Sequence, residues 1–209
     1  MDEGTVVARV LLLTGPSGSG KTRLARASGL PVLNLDDFYK DGDDPTLPRQ
    51  EHLGIVDWDD PATWDADAAV AALDRLARTG TADVPVYDIS ASRRVGHRPF
   101  SVHGHPAFVA EGIFAAEVAA ACAALGILAD AVVVARRPWK NFLRRLARDL
   151  AERRKPPLTL VRRGWALMRG EAGVVARQVA LGARACTAAE TAALLGALAR
   201  GSVGTITGP

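Results

Sequence analysis

A doubly wound α/β fold, with about five parallel strands and helices on both faces, is the fold class the sequence predicts. Three observations predict it. Apolar runs of strand length alternate with segments of helical periodicity. The first run, Val6–Thr14 (VVARVLLLT), is nearly continuous rather than alternating, as a strand buried on both faces requires. It breaks into the turn-forming stretch Gly15-Pro16-Ser17-Gly18-Ser19-Gly20, and a short helical segment starts at once, the order of a βα unit.

The remaining elements follow in order. Lys21–Ser28 reads as a helix that Gly29 ends, and Pro31–Leu35 as a strand running into Asp36-Asp37. Residues 40–60 are rich in Asp, Pro and Gly and read as loop. Ala62–Arg78 carries Trp64, Val70, Leu73 and Leu76 at mostly helical spacing, with Gly80 as its stop. Val84–Ile89 is a candidate strand and Arg93–His105 a turn-rich hairpin excursion. Ala107–Ala110 is another buried strand, closed by Glu111-Gly112. An Ala-rich helix over Ala116–Leu125 precedes the strand Ala131–Ala135. Trp139–Arg154 is a strongly basic helix stopped by Pro156-Pro157. The rest is helical apart from Val179–Cys186, a candidate edge strand. Thr187-Ala-Ala-Glu190 fits a capping box for the last helix, which Gly201 closes. There is no internal repeat and no linker, so residues 1–209 read as one domain, with a lid at about 139–157 and a helical part over 158–200.

Composition narrows the classes. A chain of 209 residues with 48% hydrophobic and 23% charged residues can bury a real core, which excludes disorder over most of its length. Its net charge of +3 conceals an asymmetry: residues 1–90 hold 16 acids and 8 bases, residues 91–209 hold 7 acids and 18 bases. Such a split predicts one acidic functional surface and one that holds anions. The acidic start Met1-Asp2-Glu3 carries no secretory pattern, and no apolar run approaches a membrane span. Cys122 and Cys186, each among alanines, make neither a disulfide framework nor a zinc site and read as thiols buried in helices. A soluble, cytoplasmic protein without a membrane partner is the expectation.

Gly15-Pro-Ser-Gly-Ser-Gly20-Lys21-Thr22 matches G-x-x-x-x-G-K-[ST]. The glycines free the backbone N–H groups around Gly15, Ser17, Gly18, Ser19 and Gly20 to turn inward on phosphate oxygens, and the following helix presents its positive end. Lys21 reaches the β- and γ-phosphates, and the Thr22 hydroxyl can ligate Mg²⁺. The setting between a buried strand and a helix is the context this motif requires. ATP with Mg²⁺ on a P-loop NTPase fold is the resulting expectation.

The loop alone does not separate kinases from other users of triphosphates. No base-reading N-K-x-D of the GTPases occurs. Asp36, at the carboxyl end of the second strand, is either a loop aspartate or the group that takes the proton of an acceptor hydroxyl. Glu111, at the end of an apolar strand, is either a solvated acid or one that serves Mg²⁺. The basic helix offers Arg144, Arg145, Arg148, Arg153, Arg154 and Lys155, of which 145, 148 and 153 can share one face. Guanidinium forks suit phosphate oxygens, and a solvated basic face is the plain alternative. The segment lacks the interleaved aromatics of a nucleic-acid site, so no nucleic-acid partner is expected.

Taken together, GPSGSGKT (15–22), LDDFYK (35–40), DWDDPATWD (57–65), PVYDISASRR (85–94), VAEGIF (109–114) and FLRRLARDLAERRK (142–155) resemble the uridine kinase (uridine/cytidine kinase) family of P-loop kinases. These blocks span about the first three quarters of the chain; the DDFYK and WDDPATWD blocks are the most particular to the family. The resemblance implies Mg-ATP-dependent phosphoryl transfer to a nucleoside 5′-hydroxyl. It makes Asp36 the base and a neighbour of the metal, and gives Mg²⁺ to Thr22 and Glu111. Tyr39, Trp58 and Tyr87 would line the nucleoside pocket, with core packing as the alternative for Trp58 and Tyr87. Asp59 and Arg145 would hold the ribose hydroxyls, Arg148 and Arg153 would clamp the ATP phosphates, and Lys155 would face the pocket. Two positions depart from the pattern. Ser92 stands where the family carries a histidine that reads the pyrimidine, and Arg153-Arg154-Lys155 replaces the lid's Arg-Gly-Arg. His97 is a stand-in on the hairpin or a surface histidine, and His103 and His105 lack an evident third metal ligand. A kinase of another hydroxylated metabolite, and an ATP-binding regulator without catalysis, are the alternatives. A homo-oligomer and a monomer are both open.

Overall fold

The computed structural model describes residues 5–16, 18–50, 54–135 and 173–201. Its centre is a five-stranded sheet, every pairing parallel, built from β1 (Arg9–Thr14), β2 (Val32–Asn34), β5 (Ala107–Glu111), β6 (Leu128–Val134) and β7 (Arg184–Cys186) in the order β2-β5-β1-β6-β7. β3 (Thr81–Asp88) and β4 (Arg93–Ser101) form a separate antiparallel hairpin inserted between α2 (Ala66–Thr79) and β5. The helices α1 (Lys21–Ala27), α3 (Ala119–Ala124), the helical residues 173–180 and α4 (Ala188–Ala199) complete the described layers.

The continuous apolar run of β1 explains its central place. Val10 and Leu12 point into one core with Phe108, Leu73 and Leu76, while Leu11 and Leu13 point into the other with Val109, Val132, Leu195 and Leu198. Both faces are covered, so each of these side chains is fully buried and stabilises the fold by about 2 kcal/mol. Truncating Leu12 to alanine would cost roughly 2–5 kcal/mol. All five strands point the same way, so their carboxyl ends share one edge. Thr14, Asn34, Glu111 and Val134 end there, β1 lying where the order turns outward to both sides.

Several expected bounds shift. The first strand begins at Arg9, because Val7 and Ala8 donate their N–H groups to the Ala77 carbonyl instead of to a strand. The second strand stops at Asn34; its side chain accepts from the Asp36 N–H at 3.2 Å and turns the chain into a 3₁₀ turn over Leu35–Phe38. The second helix is preceded by its own 3₁₀ turn, Pro61–Thr63, and Asp65 caps it. The predicted hairpin excursion is a full strand, β4. Residues 179 and 180 of the expected edge strand are helical, and only Arg184–Cys186 pairs with β6. Cys186 lies in that strand rather than in a helix. The Thr187–Glu190 capping box is formed. The expected basic lid helix lies outside the described residues. Among the described residues no helix is long and apolar enough to cross a membrane.

Candidate active site

The phosphate loop leaves β1 through Gly15, whose φ of 146° and close neighbours exclude a side chain. A Cβ there would lie 3.1 Å from Ser19 Oγ and 3.2 Å from the Val134 carbonyl. Gly18 and Gly20 also have positive φ, 84° and 87°, so the loop curls tightly ahead of α1. Ser19 is fully buried, and its hydroxyl has no hydrogen-bond partner among the described residues. An orphaned hydroxyl inside a glycine-built concavity fits a loop shaped for an oxygen-rich group. Ser17 of the motif lies outside the described residues.

At the foot of the loop, the first residues of α1 meet the last residue of β5. Thr22 donates its hydroxyl to Glu111 Oε1 at 2.6 Å, and Lys21 Nζ stands 4.0 Å from Glu111 Oε2. The Glu111 and Lys21 side chains are only 9% and 12% exposed, so this is a charge cluster in a dry setting. Thr22, Glu111 and phosphate oxygens are hard oxygen donors of the type Mg²⁺ takes, and Lys21 supplies positive charge without competing as a ligand. The residues present fit a Mg-nucleotide.

Asp36 sits across from this cluster. Asn34 fixes its backbone, and its Oδ1 accepts from the Ile113 N–H at 3.2 Å. Burial pushes its carboxyl above the ordinary range; the Lys21 ammonium and the Ile113 hydrogen bond pull the other way. The approach is close enough that a Cβ on Gly112 would stand 2.9 Å from Asp36 Oδ1. The turn carrying Asp36 is fastened from behind, where Trp64 Nε1 donates to the Leu35 carbonyl at 2.7 Å and Asp65 donates its N–H to the Phe38 carbonyl at 3.0 Å.

Beside Asp36 lies an aromatic cluster with Tyr39 at its hub. Its ring centroid is 5.6 Å from Trp58, 5.8 Å from Tyr87 and 5.9 Å from Phe114. The Tyr39 hydroxyl donates to the Trp58 carbonyl at 3.2 Å, and the Tyr87 hydroxyl to the Lys40 carbonyl at 3.1 Å. Burial raises the Tyr39 hydroxyl pKa, and the nearby Asp36 and Asp59 carboxylates raise it further. Asp59 is itself exposed, at the mouth of the cluster. Trp58 and Tyr87 are half-buried, wall rather than core.

Ser92 occupies the hairpin tip with φ 49°, and its carbonyl accepts from the Gly42 N–H at 2.6 Å. Arg94 donates its N–H to Asp41 Oδ1 at 2.6 Å, so the hairpin is docked on the loop that follows Tyr39. His97 is exposed on β4. Arg145, Arg148, Arg153 and Lys155 lie outside the described residues.

Three participants were not singled out from the sequence: Phe114 in the aromatic cluster, Asp41 as the hairpin's anchor, and Gln178. The last is buried and meets both Thr14 and Ile113. Phe114 and Asp41 sit inside or beside motif blocks, whereas Gln178 belongs to none.

No family model matches the chain. Among curated proteins it is 32% identical over 167 residues to a uridine kinase of Deinococcus deserti, covering 76% of each chain. A uridine kinase of Geobacillus kaustophilus is 32% identical over 151 residues, covering 69% of this chain and 68% of its own. Among solved structures, a candidate fructose transport system kinase from Silicibacter superposes with a TM-score of 0.57 at 20% identity, covering 90% of this chain and 91% of its own. That likeness confirms the fold, and the sequence identity over most of both chains goes further: this chain belongs to the uridine kinase family.

Proposed function

We propose that the protein transfers the γ-phosphoryl group of Mg-ATP to the 5′-hydroxyl of a nucleoside. The observation that carries the reading is the position of Asp36. This half-buried carboxylate is gripped by the Ile113 N–H, lies within the field of the phosphate-loop lysine and adjoins an aromatic wall. A hydroxyl bound against Tyr39 would lie between that carboxylate and the γ-phosphorus. Its oxygen bonds to phosphorus as the bond to the β-phosphate oxygen breaks, and its proton passes to Asp36. Lys21 draws the charge of the β- and γ-phosphates. The cation, held from the protein side by Thr22 and Glu111 with Asp36 nearby, neutralises phosphate oxygens when bound.

In this reading the aromatic cluster receives the nucleoside and Asp59 with Arg145 holds its sugar hydroxyls. Arg148 and Arg153 close over the triphosphate, with Lys155 turned to the pocket, and the whole chain acts as one kinase domain with a lid at about 139–157. The acidic first half then faces a neutral sugar and the basic second half a triphosphate.

One observation favours a second acceptor class, another hydroxylated metabolite. Ser92 supplies only a short hydroxyl at the tip, its carbonyl already bonded to Gly42, and both tyrosine hydroxyls of the wall are engaged by backbone carbonyls. The deciding experiment measures Mg-dependent ATP consumption across a panel of nucleosides and small polyols. Stimulation by nucleosides that Asp36→Asn abolishes supports the first reading, and stimulation by polyols alone supports the second. Tight ATP binding without stimulation by any acceptor would sink both.

A further inference from the structure

We propose that Gln178 is a positioning residue for Asp36, acting through a closed set of hydrogen bonds to Thr14 and Ile113. The inference rests on the kinase reading only for its consequence in turnover; its structural part stands alone.

Gln178 is 3% exposed and Thr14, the last residue of β1, is 1% exposed. Thr14 Oγ1 lies 3.1 Å from Gln178 Oε1 and 3.1 Å from the Ile113 carbonyl oxygen, and Gln178 Nε2 lies 3.3 Å from that same oxygen. A hydroxyl has one proton. The arrangement that serves every group has Thr14 donating to Gln178 Oε1 and the Gln178 amide donating to Ile113. The N–H of Ile113, on the other side of its Cα, donates to Asp36 Oδ1. One short turn is therefore held at one peptide by Gln178 and holds the carboxylate with the peptide before it.

That turn has little room to slip without consequence. Gly112 donates to the Leu13 carbonyl at 3.2 Å, and the space at its Cα is closed by Asp36 Oδ1. Losing the Gln178 amide would leave the Thr14 hydroxyl to turn its one proton to the Ile113 carbonyl, so that carbonyl keeps its bond to β1 but loses its tie to the helix at 173–180, which frees the turn to move. Motion at Ile113 reaches Asp36 directly. Motion at Thr14 reaches Gly15, the first residue of the phosphate loop. Gln178 thus ties the two halves of the reaction, proton acceptor and phosphate cradle, to one register. Its neighbour Arg177 adds an outer tether, with Nη2 2.9 Å from Glu117 Oε1.

The test combines kinetics with amide hydrogen exchange on the full chain. In Gln178→Met, which keeps the volume and removes the amide, the Ile113 N–H should exchange at least about tenfold faster, while Leu12 in β1 stays within about twofold of wild type. With the acceptor that stimulates turnover best, kcat should fall about tenfold and KM for Mg-ATP stay within about twofold. Thr14→Val should act in the same direction, and Thr14→Ser, which keeps the hydroxyl, should restore wild-type behaviour. If Gln178→Met does not fold, the Thr14 pair reads the same clasp. Unchanged Ile113 exchange, or a uniform acceleration of all core amides, overturns the proposal, as does an unchanged kcat in a variant whose Ile113 amide has loosened. If wild type shows no acceptor-stimulated turnover, the kinase reading has failed while the exchange data still decide whether Gln178 positions Asp36.

Discussion

Thr22 and Glu111, 89 residues apart in sequence, are joined by a 2.6 Å hydrogen bond at the carboxyl edge of the sheet, with Lys21 Nζ 4.0 Å from the second carboxylate oxygen. Neither Lys21 nor Thr22 can move toward a phosphate without changing its relation to Glu111. The carboxylate therefore sets where both lie before nucleotide arrives. Glu111→Gln keeps the shape and removes the charge. It should raise the Mg²⁺ concentration needed for half-maximal binding of a fluorescent ATP analogue by about 10–100-fold. An unchanged Mg²⁺ dependence would assign Glu111 to holding α1 against the sheet and nothing more.

Asp36 gives a prediction about stability and pH together. Burial lifts its carboxyl above the ordinary value of 3.8, against the pull of Lys21 and the Ile113 N–H. The folded state thus binds the proton more tightly than the unfolded chain. The resulting stabilisation is present below the unfolded-state pKa and lost as pH rises through the folded one, so at pH 7 the ionised Asp36 opposes folding. Asp36→Asn should melt above wild type at pH 7, by about 2–4 °C for each kcal/mol relieved. The two melting curves should converge as pH falls toward 4. Acceptor-stimulated turnover should drop about 10²–10⁴-fold in the same variant, and the acid limb of the wild-type kcat/KM profile should lie above the ordinary carboxylate range.

How much of this was legible in the sequence depends on the distance over which each signal acts. The central strand was, because Val10–Leu13 are apolar without interruption and only two-sided burial needs that. The phosphate loop was, because its geometry is local. Asp36 and Glu111 were placed at strand ends, but their convergence with Lys21 comes from the strand order β2-β5-β1, which no local pattern encodes. The edge strand was half legible: Val179 and Ala180 suit a strand as well as a helix, and one-sided pairing with β6 reaches only Arg184–Cys186. Gln178 was invisible, since its partners are 65 and 164 residues away and its own segment is a run of ordinary helix formers.

Gly112 tests the closeness of the turn that holds Asp36. A Cβ there would meet Asp36 Oδ1 at 2.9 Å and Leu35 Cβ at 3.0 Å, and Leu35 is buried and cannot yield. Gly112→Ala should destabilise the fold by about 1–3 kcal/mol, read as a lowered Tm. The displaced carboxylate should reduce kcat by about 10²-fold. Affinity for ATP should be unchanged, because Gly112 is outside the phosphate loop; a weakened ATP affinity with normal kcat would refute the assignment of this turn to Asp36.

The hairpin tip tests acceptor choice. Ser92 has φ 49°, a left-handed conformation that histidine tolerates better than most side chains, and its anchoring to Gly42 is through its backbone carbonyl. Ser92→His should therefore fold with the tip still docked. It places an imidazole at the position where the family resemblance puts a base reader. One added hydrogen bond is worth about 1 kcal/mol, so kcat/KM for uridine relative to a small polyol should rise between about threefold and tenfold. The measurement is a competition between the two acceptors at limiting ATP. A ratio that stays at the wild-type value would move base recognition away from the tip, leaving the wall of Tyr39, Trp58 and Tyr87 to select the acceptor by shape alone.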